Sequence, residues 1–363
     1  MSKKFIGGLL FAIIVVFAFY YNAILGKDDA TQVATEDNVV TEDIVGIVDT
    51  KEIKVGDDCG EVTIANMNWA SAQIIAEMDK IILEAMGCDV ELVAGDTMPT
   101  FTSMEGKGVP DVAPELWTLA LKIPLNAAIA EGRLINVGDV FSQGGAEGWY
   151  IPQYIKDANP ELVTWEDVIA RPDLFPHPED PSKGAFNGCP PGWNCQLTNQ
   201  NLFRAYDMEA KGWEIVDPGS SAAMDANVAK HINDGDPIFT YYWAPTSILG
   251  RLPMFLLTPE VPHDKAAWET CIGIADCADP KVNSFGFSPV QTVVTENFAE
   301  TAGIAMDYVS NRSFDNNTLN VLLAWHADNQ ATGLEGAEHY LENYQDWKTW
   351  VSADVAEKVL AGL

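Results

Sequence analysis

Val62-Thr63-Ile64-Ala65, a run of helical period from Ala70 to Met86 closed by Gly87, then Val90-Glu91-Leu92-Val93: this stretch decides the fold. A short apolar strand, a helix with glycine just past its last turn and a second apolar strand form one strand–helix–strand unit. Repetition of that order implies an α/β domain with a largely parallel sheet. Asp111-Val112-Ala113-Pro114-Glu115-Leu116-Trp117 reads as a third strand running out into a loop. Ligands in open α/β sheets are met beyond the carboxyl ends of the strands, which is where Trp69 and Trp117 stand.

Outward from this unit, a middle region from about Gly148 to Tyr242 carries elements of its own. It opens with Trp149-Tyr150-Ile151-Pro152 and continues with helices around Thr164–Ala170 and Thr198–Glu209. Trp213–Val216, a helix over Asp225–Asp234 and the strongly β-prone Pro237–Trp243 follow. The chain then returns to the character of the first region and ends in helices, the last over Ala337–Leu363. A domain inserted between two halves of another implies two crossing segments and a cleft between lobes, a favoured place for small ligands. The expected division is 58–147 plus 244–363 for one lobe and 148–243 for the other.

At the amino end, Lys3 and Lys4 precede an apolar run from Phe5 to Leu25. Residues 1–26 read as a signal peptide or a membrane anchor, and the charge placement puts the rest of the chain outside the cytoplasm. Residues 27–57, rich in Asp, Glu and Thr, read as a flexible acidic tether. A periplasmic or otherwise extracytoplasmic location is expected, cleaved free or anchored. The net charge of −32 argues against nucleic acid and anionic lipid as partners, since both need basic patches.

Six cysteines suit an oxidising compartment, and sequence alone allows 15 pairings. Proximity suggests Cys189–Cys195 and Cys271–Cys277, which leaves Cys59–Cys88. No Cys-x2-Cys pair supports zinc. The histidines His177, His231, His263, His326 and His339 lack metal-ligand spacing, so neither metal nor cofactor is expected. Signatures of hydrolases, P-loops and dinucleotide folds are missing, and no catalytic carboxylate pair stands out.

Tryptophan is the unusual residue, 11 in 363. Trp69, Trp117, Trp149, Trp193 and Trp243 sit at strand ends or beside Gly, Pro or Asn, whereas Trp165, Trp213, Trp268, Trp325, Trp347 and Trp350 fall in patterns of core residues. Several converging indoles would make an aromatic cage for a methylated ammonium group. The loop Asn187-Gly188-Cys189-Pro190-Pro191-Gly192-Trp193-Asn194-Cys195 suits this use. A ring so short adds only about 2–2.5 kcal/mol of stability. Its value is geometric: it aims one indole and leaves the amides of Asn194 and Cys195 facing outward.

At these residues the chain resembles the glycine betaine/proline betaine-binding proteins of ABC importers. That family carries a disulfide loop of the form G-C-x-P-G-W-x-C, matched here at Gly188, Cys189, Pro191, Gly192, Trp193 and Cys195. Its second cage tryptophan resembles Trp243 in Tyr241-Tyr242-Trp243-Ala244-Pro245, and a further one resembles Trp117. The resemblance runs over roughly residues 58–350. It implies a two-lobed binding protein of the type II-like periplasmic class, with a permease and ATPase subunits as partners, monomeric when free and not an enzyme. The ligand would be a small methylated ammonium osmolyte: glycine betaine, trimethylamine N-oxide, choline, proline betaine or dimethylsulfoniopropionate.

Trp117, Trp193 and Trp243 are the implied cage. Trp69, with Trp149 or Tyr150, is expected as an outer wall, and the Asn194 and Cys195 amides as donors to a ligand carboxylate. Two residues depart from the pattern. Leu121 stands where the family has a polar residue, and Glu115 adds a carboxylate near the cage that faces either solvent or the ligand, where it would favour a cation over a carboxylate. A membrane-tethered sensor for the same ligands, or an enzyme acting on methylated amines, are the alternative readings.

Overall fold

The computed structural model describes residues 59–363. The expected leader (1–26) and tether (27–57) lie outside the described residues. Among the described residues no helix is long and apolar enough to cross a membrane.

Two five-stranded sheets organise the chain. The first contains β1 (Glu61–Met67), β2 (Asp89–Gly95), β3 (Val112–Trp117), β4 (Leu134–Asp139) and β10 (Val290–Thr295), in the order β2-β1-β3-β10-β4. The second contains β5 (Ala146–Pro152), β6 (Gly184–Asn187), β7 (Trp213–Val216), β8 (Phe239–Ala244) and β9 (Met254–Leu256), in the order β7-β6-β8-β5-β9. The sequence pattern predicts largely parallel sheets, but both are mixed. β1 is parallel to β2 and β3, and β6 is parallel to β7 and β8. β10 runs antiparallel to β3 and β4, as β5 does to β8 and β9. The reason is connectivity. β5 and β10 are the strands that arrive from the other sheet, so no strand–helix–strand crossover sets their direction.

The second sheet also reaches further than the expected 148–243. β5 begins at Ala146, β8 runs to Ala244, and β9 pairs with β5 through Tyr150–Leu256, Ile151–Phe255 and Pro152–Met254. Three residues are too short a run to show a period, so β9 is recognisable only by its partner.

The opening unit forms as its pattern predicts. Helix α1 (Ala70–Met86) stops at Gly87, whose φ of 102° is a left-handed conformation that an L side chain would strain. The amides of Gly87 and Cys88 close the helix end on the carbonyls of Glu84 and Leu83. Buried positions cover most of the circumference of α1, including Ile74, Ile75, Met78, Ile82 and Leu83. Strands cover one side, and the helix Gly333–Asn343 lies against the other, with Gly336 set directly on Ile74. A buried ion pair ties the far side of α1 down. Arg312 Nε lies 2.8 Å from Asp79 Oδ1, and the Tyr308 hydroxyl donates to the same oxygen at 2.7 Å. The Arg312 guanidinium also donates to Thr292 Oγ1, whose hydroxyl donates to the Pro114 carbonyl of β3.

Disulfides join Cys59 to Cys88, Cys189 to Cys195 and Cys271 to Cys277. The first staples the start of β1 to that of β2. The third closes a loop that Asn201 holds in place by donating to the carbonyls of Ile272 and Ile274, each at 2.9 Å.

Candidate functional site

Each wall of the site is the end of a strand. β1 runs out into Asn68 and Trp69, β2 into Asp96 and Thr97, and β3 ends on Trp117. From the other sheet, β6 leads into the disulfide loop and β8 ends with Trp243 and Ala244. Parallel strands deliver these residues to one rim of each sheet. Glu147 reaches the same rim from the opposite direction: β5 is antiparallel, and Glu147 stands directly across from Trp243 in the β5–β8 register.

The disulfide loop leads straight into helix α3 (Asn194–Ala205), after helix α2 (Thr97–Lys107) of the first half. The sequence pattern predicts this helix at Thr198–Glu209, but it starts four residues earlier, with Trp193 in extended conformation as its N-cap. Apolar periodicity is silent over Asn194, Cys195 and Gln196, so the true start has no period to show it. As first-turn residues, Asn194 and Cys195 have no carbonyl of their own helix for their amides.

Nine residues enclose a cavity: Trp69, Thr97, Trp117, Glu147, Trp193, Asn194, Cys195, Tyr241 and Trp243. The four indoles retain only 5–7% of their surface. Trp193 is its hub. Its ring meets Trp69 edge-on at 5.1 Å and 72°, and Trp243 at 5.1 Å and 80°. Tyr242 stacks on Trp243 at 4.7 Å. Trp117 packs closely on Gly145, where a β-carbon would come within 2.1 Å of its ring.

Polar contacts fix these rings and close the two sides on each other. Trp193 Nε1 donates to Asn68 Oδ1 at 2.7 Å, and Asn194 Nδ2 donates to the Trp117 carbonyl at 2.7 Å. The Met98 amide donates to the Gly192 carbonyl at 3.0 Å. Each bond joins the rim of the first sheet, at a strand end or at the start of α2, to the disulfide loop of the second.

Two carboxylates serve the site, and Glu115 does so from behind. It is fully buried and does not line the cavity, so it faces neither solvent nor the ligand. Its Oε1 accepts from Trp69 Nε1 at 2.6 Å, Trp117 Nε1 at 3.0 Å and Ser71 Oγ at 3.0 Å. Alternation along β3 puts Glu115 and Trp117 on one face, and the indole N–H groups draw the carboxylate in under the rings. Its other oxygen is buried with no partner. Burial pushes its pKa up to about 7, against the pull of the indole and hydroxyl donors.

Glu147 lines the cavity, and sequence reasoning missed it. The Tyr241 hydroxyl donates to its Oε1 at 2.7 Å. Burial raises its pKa, opposed by the hydrogen bond from Tyr241. No Lys, Arg or His is among the lining residues. The available signal was indirect. Glu147 is two residues before Trp149 in a strand, but only the pairing with Trp243 brings it to the rim.

Trp149 and Tyr150, expected as an outer wall, do not line the cavity. Trp149 stacks on Trp165 at 4.1 Å inside the second half's core, and its Nε1 donates to Asn199 Oδ1 at 2.7 Å. Asn199 in turn donates to the Cys195 carbonyl, so Trp149 supports α3 from beneath. Tyr150 points to the other face of β5 by strand alternation.

A family model described as the substrate-binding domain of ABC-type glycine betaine transport systems, OpuAC, matches residues 60–343. The chain belongs to the OpuAC family. Its similarity to OpuAC-type proteins extends to a trimethylamine N-oxide-binding protein of Pelagibacter ubique, 22% identical over 79% of this chain and 89% of the relative. A glycine betaine/proline betaine-binding periplasmic protein of Escherichia coli is 29% identical over 42% of this chain and 46% of its own length. Among solved structures, an ABC-transporter choline-binding protein bound to choline superposes with a TM-score of 0.65. It is 19% identical, over 84% of this chain and 98% of that one. A glycine betaine/L-proline-binding protein of Borrelia burgdorferi gives 0.66, at 17% identity over 82% and 99%. The two-lobed α/β architecture of periplasmic binding proteins is thus the architecture of this OpuAC member.

Proposed function

We propose that this protein is the extracytoplasmic substrate-binding component of an ABC importer, and that it holds a small methylated ammonium ligand between its two lobes. The observation that carries the reading is the cavity walled by Trp69, Trp117, Trp193 and Trp243. Ring faces present negative charge, and a desolvated cation–π contact contributes ~2 kcal/mol or more. Four such walls hold a methylated ammonium through their ring faces. The amides at the start of α3 supply donors for an oxygen on the ligand. Family membership supports a partnership with a permease and ATPase subunits, and the relatives named for trimethylamine N-oxide, glycine betaine and choline support the ligand class. The lobes close on the ligand and present the closed form to the permease.

Calorimetric titration with glycine betaine, trimethylamine N-oxide, choline and dimethylsulfoniopropionate tests this. At least one binds with micromolar Kd or better, and Trp193→Ala or Trp243→Ala abolishes the heat. No heat with any of the four would sink the cage reading.

A further inference from the structure

Building on the methylated-ammonium reading of the cage, we propose that Glu147 makes the site select by charge. It admits compact methylated ammonium ligands that lack a carboxylate and rejects onium carboxylates such as glycine betaine.

Placement comes first. Glu147 lines the cavity opposite Trp243, on the strand face that also carries the ring of that residue. A ligand nitrogen seated against Trp243 and Trp193 therefore lies beside the Glu147 carboxylate. Its negative charge is not neutralised locally. The lining residues include no cation, and the Tyr241 hydroxyl that bonds Oε1 brings no charge. The buried guanidinium of Arg312 is paired with Asp79.

One feature opposes this potential: the amino end of α3, where Asn194 and Cys195 line the cavity. A helix end acts as roughly half a positive charge, less than the full negative charge of one carboxylate. The amides suffice for a single neutral or N-oxide oxygen but do not offset a ligand carboxylate facing Glu147. Burial already favours the protonated Glu147. A bound cation restores the ionised form, whereas a bound carboxylate has to tolerate a like charge or draw in a proton.

The test is calorimetric titration of wild type and Glu147→Gln with trimethylamine N-oxide, choline and glycine betaine, with thermal unfolding to check the fold of the variant. In wild type, trimethylamine N-oxide or choline binds at least about tenfold tighter than glycine betaine. In E147Q the ratio shrinks because glycine betaine binds better. Glycine betaine binding as tightly as the other two in wild type overturns the proposal, and that comparison needs no variant. An unchanged ratio in a folded E147Q overturns it as well. Silence from all three ligands in wild type would instead defeat the cage reading on which it rests.

Discussion

Glu115 offers a quantitative test of how the cage is held. Its carboxyl is completely buried, its Oε1 is shared by two indole N–H groups and a hydroxyl, and its Oε2 is left for a proton. The folded-state pKa is raised from 4.5 to about 7. Between those values the folded chain keeps a proton that the unfolded chain has released. The contribution of this group to stability is therefore full in acid and is lost as pH rises through that window. At about 1.4 kcal/mol for each tenfold change in proton affinity, the whole effect is about 3 kcal/mol, of which about 2.5 kcal/mol falls between pH 5 and pH 8. Glu115→Gln keeps an acceptor for the indoles and removes the titration. Urea unfolding of wild type and variant at pH 5 and pH 8 isolates the term, because the other buried acids titrate in both proteins and cancel. The stability of E115Q relative to wild type is expected to improve by about 2.5 kcal/mol from the lower pH to the higher. An equal difference at the two pH values would refute a buried, ionising Glu115.

Two further substitutions separate the cage from its supports. Gly145→Ala puts a methyl group 2.1 Å from the Trp117 ring and pushes the indole off its seat. Overpacking of ~1–3 kcal/mol, taken from ligand affinity, should raise Kd by about tenfold or more, and unchanged titration would show that Trp117 contributes nothing to binding. Trp149→Ala removes a fully buried ring from beneath α3 and should cost about 3–5 kcal/mol in denaturant unfolding. The remaining folded protein should bind within about threefold of wild type, unlike Trp243→Ala, and loss of binding there would return Trp149 to the site.

Much of this protein is legible without coordinates, for identifiable reasons. Val62–Val93 shows its strand, helix and strand because period and a terminal glycine are local properties. The loop Cys189–Cys195 shows its purpose because two cysteines, two prolines and a tryptophan in seven residues have few conformations open to them. Trp117, Trp193 and Trp243 stand out because each ends a recognisable strand or loop. The misplacements are equally physical. Trp149 has the local setting of a cage residue, yet it is a core residue, since its surroundings come from Trp165, Phe186 and Phe239 far along the chain. The start of α3 lies in a polar stretch where apolar periodicity is silent.

What the chain determined by itself was the class of architecture, the rigid loop and the inventory of indoles, all written in spacing over a few residues. What only the tertiary structure decided was the placement of charge. Glu115 and Glu147 are both single acids in apolar strands, 32 residues apart and indistinguishable by pattern. Parallel β3 turns the first inward beneath two indoles, while antiparallel β5 lays the second opposite Trp243 at the rim. Strand direction and register are properties of pairing between distant segments, so which carboxylate meets the ligand is settled only when the sheets are assembled.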